Sequence, residues 1–317
     1  MALKPNNVTV RKDLTDYAFG LMQDLQAAMR LLNILAPVVP CGATTGKYNK
    51  FDDTAAFKAF AEAVARRSVG GHANEIQFLN DTANYSAEPY GLRVKIDEYE
   101  KTQAGGNTLL LEKGKTRTLQ IMCVLALINQ IVGKIKDGVA ATAGKGAWLD
   151  ANVDPIAEIN GLIKAVYLAT GIVPNQVVFD FGAWCVFSDN PKVRGRMPGA
   201  DLAEVSPERV SRLFVNPSAR VEIVETATLY GGGLGNASAT KRGVLGGSVF
   251  VMFSSPMPTV YDPSFAKTFA PAAQLFTEIF SYREEPHFDW YENDWTCDPQ
   301  IVSAGLCKRL DVAGANT

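Results

Sequence analysis

The sequence predicts a mixed α+β fold, and three features of its 317 residues support this prediction. A long, strongly periodic helical pattern covers residues 107–137. Helical and strand patterns then alternate from residue 148 to about residue 255. The remaining residues, from Pro256 onwards, are rich in aromatic side chains and have the short alternating patterns of strands. This order predicts that the last strands return to pack against the long helix.

The long helix at 107–137 has one apolar face, and further apolar residues flank this face. Its main face has the i, i+3, i+4, i+7 spacing of a helix and consists of Ile121, Val124, Leu125, Ile128, Val132 and Ile135. Further apolar residues make its centre apolar nearly all round. A helix of this kind is buried on more than one side, so we expect it to form the spine of the fold.

The N-terminal region predicts an extended arm followed by two helices. Residues 1–11 are polar and contain Pro5. Apolar residues at helical spacing predict a helix over 13–35, and Pro37 ends it because proline cannot continue a helix. An alanine-rich pattern predicts a second helix over 53–66.

Two alternating patterns before the long helix predict a β-hairpin. They cover residues 76–78 and 92–96, and the polar segment between them would form a wide tip. A two-stranded hairpin is only marginally stable by itself in water. We therefore expect the hairpin to pack on a neighbouring molecule, and we expect removal of residues 82–89 to leave the main core intact.

A small-residue linker at 138–148 separates the long helix from an α/β segment. Asp154 and Pro155 are residue types of a helix N-cap and first position, and Gly171 is typical of a helix C-cap. Further patterns predict strands at 176–179, 222–225 and 248–253, a helix at 183–187 and a glycine-rich loop at 229–247.

Composition and charge argue against several classes of protein. Hydrophobic residues make up 47% of the chain, enough for a sizeable core, and the net charge of -2 disfavours a general basic nucleic-acid binder. The five scattered cysteines lack CxxC spacing, so we expect a reducing compartment and neither a disulfide framework nor a zinc site. There is no signal-peptide pattern, and the longest apolar run, 121–128, is far shorter than the ~20 residues of a membrane span. These features predict a soluble protein made in a cytoplasm.

Histidine and cysteine give little indication of catalysis. The two histidines, His72 and His287, lack metal-ligand spacing, and we interpret both as surface or structural residues. Cys185 could act as a nucleophile with His287 as its base. It follows Trp184 in an apolar segment, however, which favours a buried and inert thiol.

One glycine-containing segment, 138–146, resembles a phosphate-binding loop in part. Gly144 and Lys145 match the end of that motif. Five residues instead of four separate Gly138 from Gly144, and Gly146 replaces the hydroxyl residue that would hold magnesium. The segment therefore favours a flexible connection over a nucleotide site.

Two other patterns resemble ligand sites less closely. Gly233 and Gly235 match part of a dinucleotide motif whose third glycine is Ser238 here. Three carboxylates could bind a hard cation, although such clusters are usually solvated; they are Glu284, Glu285 and Asp289. We therefore expect no catalytic residues, no cofactor and no metal.

Five segments follow one another in a characteristic order and spacing. They are YSAEPYGL at 85–92, WLDANVDP at 148–155, TGIVPNQVVF at 170–179, NPKVRGR at 190–196 and DPSFAKTF at 262–269. The series resembles the major capsid proteins of tailed bacteriophages, which have the Hong Kong 97 fold. This resemblance extends over residues 85–280.

The resemblance implies a division of the chain into five parts. They are an N-terminal arm with helices at 1–69, an extended β-hairpin loop at 70–103, the spine helix of a peripheral domain at 104–147, an axial domain at 148–255 and the return strands of the peripheral domain at 256–317. The tail after Tyr282 matches the family only loosely, so its placement stays open.

The resemblance further implies a structural protein that is not an enzyme. Copies of one chain would form the hexamers and pentamers of an icosahedral shell, located in the virion and assembled in the bacterial cytoplasm. The shell would enclose double-stranded DNA without sequence-specific binding and without a membrane, and its partners would be a separate scaffolding protein, a portal and decoration proteins. Two alternatives remain, an encapsulin-type nanocompartment shell and a soluble α/β enzyme that binds a phosphate ligand.

Overall fold

Two β-sheets, each covered by helices, organise the fold of this protein. The computed structural model describes residues 8–24, 26–50, 66–73, 82–197, 205–230, 240–273, 275–276, 278–285 and 287–315. The mixed α+β class predicted from the sequence is confirmed.

Eight α-helices lie in the described residues, and their bounds are α1 Lys12–Asp24, α2 Gln26–Leu35, α3 Glu98–Ala104, α4 Thr108–Gly138, α5 Pro155–Thr170, α6 Phe181–Asp189, α7 Pro191–Gly195 and α8 Pro207–Ser211. The helix predicted over 13–35 corresponds to α1 and α2, and α2 ends before Pro37 as predicted. The helix predicted over 53–66 lies outside the described residues except for its last position.

Fifteen β-strands lie in the same residues, and their bounds are β1 Thr9–Val10, β2 Val38–Pro40, β3 Thr45–Asn49, β4 Thr82–Ser86, β5 Glu88–Asp97, β6 Ala141–Thr142, β7 Gln176–Asp180, β8 Arg220–Val224, β9 Ala227–Tyr230, β10 Thr240–Gly243, β11 Ser248–Met252, β12 Ala266–Ala270, β13 Ile279–Glu285, β14 Phe288–Ile301 and β15 Cys307–Asp311. The strands predicted at 176–179, 222–225 and 248–253 correspond to β7, β8 and β11.

The first sheet is built around the long strand β14. β13 and β5 pair antiparallel with the two edges of its first part, and β12 pairs antiparallel with its second part. β1 lies outside β13, and β2 pairs in parallel with β12. Helix α4 lies across β5 and β14. The prediction that strands near the C-terminus return to the long helix is therefore confirmed for β14.

Helix α4 confirms the predicted spine, with bounds within one residue of 107–137 at each end. Its side chains at Leu127 and Ile128 are fully buried, and they pack in one core with Leu35 of α2 and Trp295 of β14. Burial of each such side chain contributes about 1.5–3 kcal/mol. By length and composition α3 and α4 together contain an apolar window long enough to cross a membrane, half of it buried in the fold. The position of α4 in the core accounts for its apolarity.

The second sheet has the order β6-β15-β11-β7-β8, and α5 and α6 pack on it. The Asp154 side chain accepts a hydrogen bond from the amide of Ala157, which caps α5 as predicted. Gly171 ends α5 with a φ of 70°, the left-handed conformation that glycine adopts at low cost. Both predicted caps are confirmed.

The last strand, β15, belongs to this second sheet. It pairs antiparallel with β11 and in parallel with β6, and Leu310 packs in the second core. Residues 307–311 therefore do not join β12 to β14 in the first sheet, and the division of the chain into domains stays a prediction. The physical reason is that every residue of β11 is buried, so this strand needs hydrogen-bonded neighbours on both edges.

The hairpin predicted from 76–78 and 92–96 is not the pairing that the described residues show. Residues 92–96 lie within β5, which pairs along its whole length with β14, and 76–78 lie outside the described residues. A two-stranded ribbon of the described residues is formed by β3 and β4.

Aromatic stacking anchors the ribbon to the first sheet. The rings of Tyr48 and Tyr85 stack on Phe269 of β12, each with centroids 4.8 Å apart. A Cβ atom at Gly46 would lie 2.6 Å from the Tyr85 hydroxyl, so only glycine fits beneath that ring. Tyr85 is 6% exposed. Removal of 82–89 would take this side chain out of the small buried cluster that it forms with Val39, Tyr48, Phe269 and Val302. The two larger cores have no buried residue in this segment, so the expectation that the deletion leaves the main core intact stays a prediction.

The glycine-rich loop expected at 229–247 is partly ordered into strands and core. β9 and β10 pair antiparallel around 231–239, which lie outside the described residues. Val244 and Leu245 are fully buried. The carboxylate of Asp180 accepts hydrogen bonds from the amides of Leu245 and Gly247, at 3.2 and 3.1 Å. These contacts fix the return of the chain to β11.

The substitution Phe269→Ala tests the anchor of the ribbon. We expect it to lower the free energy of unfolding by about 3–5 kcal/mol, because it removes a buried ring that stacks with two others. Urea unfolding of the unassembled protein measures this loss. The control is Tyr261→Ala, whose ring is 78% exposed and whose loss should stay within about 0.5 kcal/mol. Equally small losses in both variants would contradict the anchoring role.

Candidate functional site

A cluster of ionic and polar side chains joins the N-terminal arm to the helices and the first sheet. We call it the arm junction, and it consists of Arg11, Lys101, Glu112, Arg283, Asp289 and Tyr291. These residues come from the start of α1, from α3 and α4, and from β13 and β14. The junction therefore ties together segments that are far apart in the sequence.

Glu112 is the centre of the arm junction. Its carboxylate is 8% exposed and accepts hydrogen bonds from the Arg11 guanidinium and the Tyr291 hydroxyl, both at 2.8 Å. The Lys101 ammonium lies 3.5 Å away and also contacts Asp289. Partners from three directions compensate the buried charge of Glu112, which would otherwise be costly.

The same contacts set the protonation of the junction. Burial would raise the pKa of Glu112, but the hydrogen bonds from Arg11 and Tyr291 and the charge of Lys101 outweigh it and hold this pKa below its ordinary 4.5. Burial would likewise raise the pKa of Asp289, yet Arg283 and Lys101 lower it below 3.8. Burial and the Glu112 carboxylate both raise the pKa of Tyr291. At neutral pH the carboxylates are ionised and the phenol is a hydrogen-bond donor.

This arrangement positions chain segments and offers no activated group to a substrate. Each of its carboxylates faces a cation of the same chain, and the one hydroxyl donates to a carboxylate. Buried ion pairs contribute less to net stability than to the specificity of a fold. The arm junction thus fixes where the N-terminal arm leaves the body of the protein.

The segment 138–146, considered above as a phosphate loop, binds a carboxylate of its own chain. The amide of Lys145 donates to one oxygen of Glu158 at 2.6 Å, and the Trp148 indole donates to the other at 2.7 Å. Glu158 is 8% exposed. An anion of the protein therefore already occupies the donors that a phosphate would need.

The pair of Cys185 and His287, which the sequence analysis disfavoured as a catalytic pair, is not brought together. Cys185 lies on α6 against the second sheet, whereas His287 lies at the turn between β13 and β14 of the first sheet. Cys185 is exposed, so the expectation of a buried thiol is wrong: its neighbours Trp184 and Val186 occupy the buried face of α6. His72 and His287 are exposed, and the surface interpretation of both is confirmed.

The other candidate ligand residues, the glycine motif and the three carboxylates, do not form a binding site in the described part of the chain. Gly233, Gly235 and Ser238 lie outside the described residues, as do the side chains of Glu284 and Glu285. Asp289 lies in the arm junction, where Lys101 and Arg283 compensate its charge. Among the described residues no group of histidine, cysteine, aspartate or glutamate has the geometry of a metal site.

Sequence reasoning missed the arm junction completely. Arg11 and Glu112 are 101 positions apart, and Tyr291 is a further 179 positions along the chain. The pattern around each residue is ordinary for an arm, a helix or a strand. These residues could be found only if the pairing of the strands were known. A single sequence does not contain that information.

Comparisons with known proteins identify the fold. No family model matches the sequence, and no curated protein is similar to it. A phage-related protein from Bordetella bronchiseptica RB50 has a similar structure, with a TM-score of 0.69, 19% identity and coverage of 98% of this chain and 99% of that one.

Two further solved structures have similar folds. A putative capsid protein of a prophage of E. coli CFT073 has a TM-score of 0.53 and 12% identity, with coverage of 96% of this chain and 99% of that one. A virus-like particle from Pyrococcus furiosus has a TM-score of 0.52 and 11% identity, with coverage of 94% and 98%. The predicted capsid-protein fold is therefore confirmed, and at these identities the likeness concerns the fold alone.

Acid should weaken the arm junction. A carboxylate whose folded pKa lies below its unfolded value adds stability above the unfolded pKa, and this stability is lost as pH falls through the folded pKa. We expect Glu112→Gln to lower the free energy of unfolding at neutral pH by about 1–3 kcal/mol and to flatten its decline below pH 4.5, the ordinary pKa of a glutamate. Urea unfolding across this pH range measures both effects. The exposed Glu208→Gln is the control, and an equally steep decline in the Glu112 variant would contradict the assignment.

Nucleotides should not bind the glycine-containing segments. Because Glu158 occupies the amide of Lys145, we expect titrations with ATP and with NAD to show no binding in the micromolar range. The same titrations are run on Lys145→Ala and on Lys241→Ala with Arg242→Ala. Micromolar binding by the unaltered protein that disappears in either variant would contradict this prediction.

Proposed function

We propose that this chain is the major capsid protein of a tailed bacteriophage, and that it acts by assembly and not by catalysis. In this proposal, hexamers and pentamers of the chain form an icosahedral shell around double-stranded DNA. The observation that supports it best is a fold shared over 96% of this chain with a putative prophage capsid protein and over 98% with a phage-related protein.

The surface of the chain supports a role in assembly. Large apolar side chains are exposed in several places, among them Leu168, Val215 and Met257, which are 70%, 73% and 83% exposed. Exposed apolar surface beyond isolated residues is typical of protein interfaces. Contacts between different surfaces of identical subunits generate rings and closed shells when the rotation closes.

The charge of the chain supports enclosure of DNA without sequence readout. The net charge is -2, so this protein lacks the excess of cations with which general DNA binders neutralise phosphates. A shell needs only to surround its content. Packing of DNA by such a shell requires further components, and we propose a separate scaffolding protein, a portal and decoration proteins as partners, with assembly in the bacterial cytoplasm and a final location in the virion.

A second candidate function is the shell of a protein-filled nanocompartment of the encapsulin type. The likeness to the Pyrococcus furiosus virus-like particle has a TM-score of 0.52, against 0.53 for the prophage capsid protein. A likeness of fold does not show what a shell encloses, so the content of the particles distinguishes the two functions. A soluble enzyme for a phosphate ligand is disfavoured, because Glu158 binds the donors of the candidate loop.

Particle formation tests the proposed function. We expect virion-derived protein, or protein coexpressed with its scaffolding protein, to sediment as closed particles that are visible by negative-stain electron microscopy. Nuclease-protected double-stranded DNA inside them favours the capsid, and a stoichiometric protein cargo favours the nanocompartment. Only small species under both conditions would contradict a shell of either kind, and nucleotide-dependent thermal stabilisation of such species would favour the enzyme.

A further inference from the structure

A groove lined largely by apolar side chains lies on the outer face of α5. Two cavities, of about 370 and about 600 Å³, lie on either side of this helix and meet at Gly161. The larger one lies between α5 and the segment that leads to β8, and its apolar lining includes Ile163, Tyr167, Val173 and Val215. We call the two cavities together the α5 groove.

The apolar walls of the α5 groove are exposed. Tyr167 and Val173 are 49% and 45% exposed, and Val215 is 73% exposed. Leu168, next to them on α5, is 70% exposed. The three exposed apolar side chains that line one cavity form a patch of the kind that marks an interface.

The rim of the α5 groove is positively charged. Lys145, Lys164 and Lys308 line it, and none of their ammonium groups forms an ion pair within the described part of the chain. The one carboxylate in the lining, Glu158, has its two oxygens bound by the Lys145 amide and the Trp148 indole. The charge of the groove therefore favours an occupant with an apolar or aromatic centre and acidic flanks.

One exposed segment of the described chain has this chemistry. Tyr99 on α3 is 67% exposed, and it is flanked by Asp97, Glu98 and Glu100. Among the described residues, the other exposed large apolar side chains do not have three carboxylates within two positions of them in the sequence. Beside Tyr261, for example, the carboxylate of Asp262 is taken by the buried Lys267.

The conformation of the acidic segment, residues 97–100, is also fixed before binding. The Asp97 side chain accepts a hydrogen bond from the Tyr99 amide at 2.7 Å and caps α3, so the turn that presents the ring is fixed before binding. Glu100 lies 3.2 Å from Lys115, and Glu98 lies 3.8 Å from Arg283. Such surface pairs are weak, so both carboxylates can turn to the lysines of a partner.

We propose that residues 97–100 of one copy dock in the α5 groove of a second copy, with the Tyr99 ring in the larger cavity and the carboxylates facing the lysine rim. A second copy is required because α3 packs on α4 and β5, whereas α5 covers the second sheet. The two surfaces differ, so the contact is heterologous and extends from copy to copy. This inference rests on the proposed shell function.

Site-directed cross-linking tests the contact. Tyr99→Cys and Val215→Cys are made separately in a Cys185→Ser background, since Cys185 is the cysteine classed as exposed. The two variants are assembled together and treated with a short bismaleimide. We expect a covalent dimer only in the mixture. The control replaces Tyr99→Cys with Leu110→Cys, which is 65% exposed on α4 and should give no dimer with the Val215 variant.

Charge exchange gives an independent readout. Lys164→Glu and Glu100→Lys should each lower the yield of particles, by about tenfold, and the two together in one chain should restore it. Particles that form without the cross-link and without this rescue would overturn the docking while leaving the shell function intact. Two further results would also overturn the docking. In one, the cysteine of the Val215→Cys variant cross-links to a segment other than residue 99. In the other, this cysteine is protected from modification in particles but does not cross-link to residue 99. Unaltered protein that forms no particles would contradict the proposed function itself.

Discussion

Beneath α4, strand β14 is hydrogen-bonded along both edges and contributes side chains to each part of the first sheet. Tyr291 enters the arm junction, Trp295 enters the core under α4, and Asp298 accepts hydrogen bonds from Lys134 of α4 and from the amide of Ser86. One strand thus holds the arm, the spine helix and the β3–β4 ribbon. Because hydrogen bonds and packing both depend on its register, a shift by one residue would exchange its buried and exposed faces.

The arm and the ribbon are attached by chemically different contacts. The arm is held by charges around Glu112, whereas the ribbon is held mainly by stacking of Tyr48 and Tyr85 on Phe269, together with a hydrogen bond from the Ser86 amide to Asp298. In the proposed shell, both attachments would keep extended elements of the subunit in place before its neighbours arrive.

The sequence predicted those elements whose signals are local. Helix α4 follows from its apolar period, and α5 follows from Asp154 and Gly171, because caps and periodicity act over a few residues. The partner of β5 and the sheet of β15 could not be predicted, since alternation identifies a strand but not its neighbour. The same limit hid the arm junction. Cys185 was misplaced for another reason: in a short apolar helix the pattern does not fix which face is buried.

The distribution of polar groups separates what holds the subunit together from what it offers to other copies. Buried charges such as Glu112 and Glu158 are matched by donors of the same chain, so they define its shape and leave nothing for a ligand. On the α5 groove the situation is reversed, since apolar side chains and three lysines there lack partners within the described residues. Exposed apolar surface is a liability in an isolated protein, and a protein can retain it when its working state covers it. Under the proposed function, a chain with a self-contained core and an unmatched outer face would become stable in stages, first as a subunit and then as part of a shell.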